Sequence, residues 1–494
     1  MALAGGPHKG GAPDAAAETD CPTTGHPHEG GDAAGDAALT PLPALRRLPP
    51  AMNSLTRSLL RFTSTALVAL GFVLAPLAWA QQAQLETKPA DAYFTKFEPR
   101  KAPAPSGLRL QAGDRLAICG DSITEQKMYS RIMETYLTVC VPDLKVTVRQ
   151  YGWGGERAPG FLARMTNDCL RFKPSLATTC YGMNDHGYRP YEETIGAEYR
   201  RASTAIVRAF KAHGTRVIQG SPGCVGTKAQ PGWDAAGVEA KNLNLCTLRN
   251  LGIEIAQQEN VGFADVFWPM LTAGFAAQQR YDAGYAIAGK DGVHPDWAGQ
   301  LVMAYAFLKA MGLEGDLGTI TVDLPAGKAT ATQGHEVAGF ADNELKLTSA
   351  RYPFCAAGAP DKDNSIRSAM TLVPFNQDLN RLMLVVKGGA AANFKVTWGN
   401  ASRSYPAGQL AKGVNLADDF GVNPFSEAFA KVDAAVAAKQ NYETRQVKML
   451  FHGDEGHADM DATAALTEQV RKPLADAIAA AFVPVTHTLR IEAQ

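Results

Sequence analysis

Between positions 115 and 311, short apolar runs alternate with longer stretches in which apolar residues recur every three or four positions. The runs 115–119, 145–151, 176–181, 216–220 and 262–266 are rich in Val, Ile, Leu and Ala and predict strands buried on both faces. The stretches 129–139, 161–172, 195–212, 240–258 and 296–311 predict helices. Strand-helix alternation of this kind implies a parallel sheet with helices on both sides. In such sheets the functional crevice forms beyond the carboxyl ends of the strands.

After Gly312 the texture changes. Runs 319–324, 344–349, 381–387 and 394–398 alternate as strands between Gly, Asn, Asp and Pro turn signals and predict a second, β-rich core. A helix is expected over 423–451, with Pro424 at its first position and Phe425, Phe429, Val432 and Val436 along one face that must dock on something. A further helical stretch, 462–482, is expected to be interrupted at Pro473, and 486–491 alternates as a closing strand.

The first eighty residues read differently. Residues 1–51 are rich in Gly, Ala, Pro and Asp and too poor in large apolar side chains to offset the entropy of ordering, so they predict disorder. Met52 then opens a segment with Arg57 and Arg61, an apolar run over 66–77, and Ala78 and Ala80 around Trp79. This is the pattern of a secretory signal peptide over 52–80, with cleavage before Gln81 and translation starting at Met52. The apolar run is shorter than the roughly 20 residues of a membrane span, so no stable insertion is expected after cleavage. The expected destination is the periplasm or the medium. The resulting division is an upstream segment (1–51), a signal (52–80), a linker (81–105), an α/β domain (106–314) and a β-rich and helical accessory region (315–494).

Composition narrows the partners. With 46% hydrophobic residues the chain can bury more than one core, and 48 Lys+Arg against 49 Asp+Glu leaves no basic excess for nucleic acid.

The strand ends carry the chemistry. They read Gly120-Asp121-Ser122-Ile123-Thr124, Gly152-Trp153-Gly154-Gly155-Glu156-Arg157 and Gly182-Met183-Asn184-Asp185, with Asp291-Gly292-Val293-His294-Pro295 before the last helix. Ser122 is a hydroxyl nucleophile, His294 can take its proton, and Asp291 can hold the imidazole tautomer. The backbone N–H groups of Ser122 and Gly155 and the Asn184 amide can face a developing oxyanion. Either Gly154 or Gly155 can supply the second donor, and the spacing from Gly152 favours Gly155. Taken alone, Asp121 suits a helix N-cap, and Asp185 suits a loop-holding role.

These four blocks, in this order, resemble the SGNH, or GDSL, hydrolase superfamily over residues 115–311. The family letters fall on Ser122, Gly155, Asn184 and His294, and Asp291 matches its D-x-x-H block. The resemblance implies a flavodoxin-like three-layer α/β/α sandwich with a parallel sheet, here followed by a smaller C-terminal β-rich unit with helices. It implies ester hydrolysis with no metal and no cofactor, on a small-molecule or polysaccharide ester; export suggests acetylated polysaccharide. A lipase, thioesterase or acyltransferase of the same fold and a noncatalytic carbohydrate-binding protein are the alternatives. The accessory region either walls the crevice or binds glycan.

Other clusters carry less. The carboxylates between His452 and Asp461 lack calcium-loop spacing and predict a solvated loop between helices. Of eight cysteines, Cys21 lies in the leader, and the other seven include no CxxC pair. Cys224 and Cys246 flank one loop and are the candidate disulfide; the alternative is that the cysteines serve as small buried apolar groups.

Overall fold

A computed structural model describes residues 84–226 and 233–494, which belong to one compact unit, Ala78–Gln494. The expected leader and signal segments lie outside the described residues. Strands β1 (Arg115–Gly120), β2 (Thr147–Gly152), β3 (Leu176–Cys180), β4 (Arg216–Gly220) and β5 (Gly262–Ala264) form a five-stranded sheet in the order β2-β1-β3-β4-β5. Every neighbouring pair is parallel. The chain leaves β1 in one direction for β2 and in the other for β3. This is the topological switch of a flavodoxin-like sheet.

Strand β1 shows why both faces need cover. Its Leu116 and Ile118 belong to one hydrophobic core, whereas Ala117 and Cys119 belong to another. The first core is closed by α2 (Tyr129–Val139) and α7 (Trp297–Ala310), the second by α3 (Ala158–Asp168) and α4 (Glu193–Ala212). Between these helices run the short α1 (Ser122–Glu125), then α5 (Ala235–Glu259) and α6 (Phe267–Arg280). Helix α6 has no counterpart in the sequence reading, because it follows β5 so closely that one apolar stretch covers both.

The segment expected to be a linker is packed at Phe94, Phe97 and Pro99, while residues 103–107 stay exposed. Phe94 and Phe97 are fully buried, with ring centroids 5.7 and 6.2 Å from Trp268. Arg249 donates to the Arg100 carbonyl (2.7 Å). Two aromatic side chains three residues apart bury more apolar surface than a linker could leave in water.

The expected Cys224–Cys246 bridge does not form; both are buried free thiols, as are most of the seven described cysteines. Cys224 faces an apolar cavity with Tyr93, Phe275 and Ile287, while Cys246 lines a separate polar groove with Lys96, Glu98 and Asn250. The segment at 93–100 therefore gives the two sulfurs different surroundings.

Beyond α7 lie two further sheets. One has the order β13-β10-β6-β7, from β6 (Asp316–Asp323), β7 (Lys328–Ala331), β10 (Arg381–Lys387) and β13 (Val414–Asn415). The other has the order β12-β11-β14-β9-β8, from β8 (His335–Ala341), β9 (Glu344–Ser349), β11 (Asn393–Trp398), β12 (Ala401–Pro406) and β14 (Val485–Ala493). A buried polar chain joins them. Trp398 Nε1 donates to His487 Nδ1 (3.1 Å), His487 Nε2 meets Ser349 Oγ (2.9 Å), Ser349 meets His335 Nδ1 (2.8 Å), and His335 Nε2 donates to the Leu317 carbonyl (2.8 Å). Each polar atom along it is satisfied, and burial pushes His487 down to about 4, which keeps its ring neutral.

Helices α8 (Ser426–Arg445) and α9 (Met460–Ala481) return to the α/β half. Helix α8 buries Phe429, Val432, Val436, Lys439, Gln440 and Glu443 on one face, so the expected apolar stripe continues as a polar one. It begins at Ser426, two residues beyond Pro424, because the Asn423 side chain accepts the Phe425 N–H (3.0 Å). Six residues of π-helix, Gln446–Phe451, follow it. Helix α9 runs through Pro473 without the expected interruption; Arg471 on the Val148 carbonyl (3.1 Å) and Ile478 in the core hold its two halves in line. No helix among the described residues is long and apolar enough to cross a membrane.

The polar end of the α8 stripe covers the outer edge of β2. Lys439 Nζ donates to the Val148 carbonyl (2.6 Å) and pairs with Glu443 (2.8 Å) and Glu134 (3.1 Å), and it is 1% exposed. Burial pushes the Glu134 carboxyl up, whereas Lys439 and Arg471 overcome the same push at Glu443 and hold it below its ordinary value. Lys439→Met would leave two buried carboxylates facing each other. We expect denaturant unfolding to show a loss of about 3–5 kcal/mol; a variant as stable as the parent would show that the charges are not needed.

Candidate active site

Ser122 opens α1 immediately after β1. Asp121 caps this helix, its Oδ1 accepting the Ile123 N–H (3.0 Å), as its place before the first turn suggests. Burial, with Asp185 and Glu156 nearby, pushes the Asp121 carboxyl up to about 7. The Ser122 N–H lies in the first turn, where no intrahelical acceptor exists.

His294 arrives from the loop before α7. Asp291 builds that loop: Oδ1 accepts the N–H groups of Val293 (2.9 Å) and His294 (2.8 Å), and Oδ2 receives His294 Nδ1 (2.6 Å). The opposite ring nitrogen, Nε2, is 2.8 Å from Ser122 Oγ. With Nδ1–H donated to the carboxylate, Nε2 offers a lone pair to the Ser122 hydroxyl. Burial alone would raise Asp291, but the two N–H groups and the His294 ring hold it below the ordinary carboxylate value.

The two remaining strand ends are tied together. Asp185 Oδ2 accepts the Gly182 N–H (2.9 Å) and Oδ1 the Ala158 N–H (2.9 Å), joining the loops after β3 and β2. Burial pushes Asp185 up to about 6, against the pull of these N–H groups. Asn184 Nδ2 donates to the Glu156 carbonyl (3.1 Å), and Tyr188 donates its hydroxyl to Asn184 Oδ1 (3.1 Å). The carboxamide is thereby oriented, and one of its two N–H hydrogens remains for a ligand.

The choice between Gly154 and Gly155 follows from the hydrogen bonds. Glu156 N–H returns to the Trp153 carbonyl (3.2 Å), closing a turn whose third residue, Gly155, has φ +71°. Glu125 takes the Gly154 N–H with its carboxylate, whereas among the described residues no acceptor takes that of Gly155. At Gly152 a Cβ would lie 2.1 Å from the Glu125 nitrogen, so only glycine lets the end of β2 approach α1 this closely.

Ser122, His294 and Asp291 thus form one connected group, with Asn184 and Gly155 presented on loops that share the same ties. Several supporting residues had no sequence signal. Glu156 is buried and gripped by Arg164 through two bonds (2.6 and 2.7 Å), with the Tyr181 hydroxyl on it as well (2.9 Å). Tyr188 holds a positive φ of 55°, unusual for a bulky residue. The segment from His452 to Asp461 contains a short helix, Asp454–Ala458, and His452 Nε2 meets Asp168 (2.9 Å). Among the described residues no group of three or more His, Cys, Asp or Glu side chains could hold a metal ion.

Comparisons with known proteins cover the span that contains these residues. The model of the GDSL-like Lipase/Acylhydrolase family matches residues 118–302, which contain Ser122, Gly155, Asn184, Asp291 and His294. Among solved structures, a gut microbial diltiazem-metabolizing enzyme aligns with a TM-score of 0.64 at 21% identity, covering 79% of this chain and 100% of its own. That coverage exceeds what the α/β half can supply, so the shared fold includes much of the C-terminal region. An acetylxylan esterase from Geobacillus stearothermophilus (TM-score 0.35, 22% identity, 42% of this chain and 98% of its own) aligns over a shorter span. So does an alpha/beta hydrolase enzyme from the metagenome of Lake Arreo, Spain (TM-score 0.33, 23% identity, 42% and 98%). No curated protein sequence matches. Residues 118–302 thus form a GDSL-like lipase/acylhydrolase domain, the region in which every candidate catalytic residue lies.

Proposed function

We propose that this protein is an exported serine esterase that hydrolyses carboxylic esters. The observation that carries the reading is the continuous chain from Ser122 Oγ to His294 Nε2 (2.8 Å) and from His294 Nδ1 to Asp291 (2.6 Å). In this mechanism Ser122 attacks the ester carbonyl while His294 takes its proton, and Asp291 stabilises the imidazolium that results. The Ser122 and Gly155 N–H groups and the Asn184 amide receive the oxyanion. His294 then returns the proton to the leaving alcohol, and water releases the acyl group from Ser122 by the same steps. Export rests on the signal pattern at 52–80 and makes carbohydrate O-acetyl groups the first substrate class to test.

Turnover of a small chromogenic acetate should fall at least about a thousandfold in Ser122→Ala, with loss of labelling by a serine-directed phosphonate. A folded Ser122→Ala protein that keeps its activity would remove Ser122 from the mechanism. Gly155→Ala forces a side chain into the left-handed region at a cost of about 1–2 kcal/mol and displaces a donor that acts in the transition state. We expect kcat to drop roughly tenfold or more with KM little changed; an unchanged kcat would assign the donor elsewhere.

The pH profile is a separate check. Asp291 is held below its ordinary value and therefore stays ionised as the solution is acidified through the range where an imidazole protonates. Loss of the base as its imidazole protonates should then contribute an acid limb, alongside Asp121 and Asp185, which burial raises to about 7 and about 6. kcat/KM should fall toward acid pH, and a flat acid limb would exclude His294 as the base.

A further inference from the structure

The catalytic candidates all lie within 118–302, but the turn bearing Gly155 is held partly from outside that span. Glu125 connects the two. One of its carboxylate oxygens accepts the Gly154 N–H, and the other pairs with Lys448 Nζ at 2.7 Å. Lys448 belongs to the π-helical segment Gln446–Phe451 of the C-terminal region, 323 residues from Glu125. The pair is partly shielded, with side-chain exposures of 28% and 22%, so it is not a surface pair screened by water. Trp153, at the start of the turn, is surrounded as well. Lys448 Nζ lies 5.3 Å and the Arg164 guanidinium 5.0 Å from its ring, and the His452 ring meets it edge-on at 4.9 Å.

We propose that Lys448 and Glu125 are positioning residues for the Gly155 donor, so that the C-terminal region takes part in the esterase reaction; this rests on the Ser122 reading above. Two physical reasons carry it. By engaging the Gly154 N–H, the Glu125 carboxylate fixes the turn and leaves the next N–H, that of Gly155, for substrate. An unpaired carboxylate beside the developing oxyanion would oppose the charge that the site must stabilise, and the Lys448 ammonium offsets it. Single-turn π segments recur at functional sites, and this one brings Lys448 to Glu125 at the end of α8.

The test uses the full chain and the chromogenic acetate, with thermal unfolding alongside. Lys448→Met should lower kcat about tenfold, less than outright removal of an oxyanion donor, with KM within about twofold and the unfolding midpoint nearly unchanged. Lys448→Arg should recover most of the loss. Because Lys448 acts through Glu125, Lys448→Met should cost little more when added to Glu125→Gln. An unchanged kcat, an arginine variant no better than methionine, or losses that multiply in the double variant would each overturn the proposal. If Lys448→Met does not fold, Glu125→Leu, which removes the acceptor of the Gly154 N–H, carries the test alone. A severalfold loss confined to kcat supports the proposal, and an unchanged kcat overturns it. Ser122→Ala run in parallel separates the two readings, since activity surviving in that variant defeats the serine mechanism whatever Lys448 does.

Discussion

The open edge of β2 is the constraint on which much of the structure depends. A parallel sheet ending in an unpaired strand exposes backbone groups that must find partners or invite another chain. Here the partners are side chains of α8 and α9. Lys439 and Arg471 converge on the Val148 carbonyl, and Glu443 receives the Gln150 N–H (3.3 Å). Burying these charges is tolerable only because each has opposite charges around it and a backbone group to satisfy. The consequence is directional. With α8 fixed along the strand, its C-terminal end must lie near the carboxyl end of β2, where the glycine-rich turn begins.

At the strand ends the same device recurs on a smaller scale: a shielded carboxylate gathers backbone N–H groups and thereby fixes a loop. Asp291 shapes the loop that carries His294, Asp185 joins the loops after β2 and β3, and Glu125 holds Gly154. Carboxylates suit this task because each oxygen accepts more than one bond and charge strengthens each bond. These ties act together with core neighbours such as Ile123, Met183 and Val293, while Ser122 and His294 stay partly accessible to a substrate.

What the sequence made legible follows the same division. The five parallel strands, α2 with its bounds, and the residues at the strand ends could be read because each carries a local signal: a β-branched run, a helical period, or a glycine next to a polar residue. Strands β7, β8 and β12 escaped because much of their surface faces water and they carry little apolar alternation. Phe94 and Phe97 looked like parts of a linker because their partner, Trp268, is far along the chain. Cysteine positions gave no bridge, since proximity in sequence does not place two sulfurs in one cavity. Lys448 is the extreme case: in sequence it is one cation on an exposed helix end, and only the docking of α8 on β2 gives it a partner.

The placement of β14 extends this argument to the end of the chain. The last strand lies between β11 and β9, so the second C-terminal sheet is incomplete until Val485–Ala493 has paired on both sides. Helices α8 and α9 form the excursion between that sheet and the edge of β2, and their junction carries Lys448 and His452. The excursion is thus anchored at its root by one core and along its length by another. Neither anchor is local in sequence, and contacts of this separation form only after long loops have closed. The α/β half contains the nucleophile, base and acid of the candidate triad by itself, but the geometry of its glycine-rich turn is completed by residues that reach it only once the far end of the chain has folded.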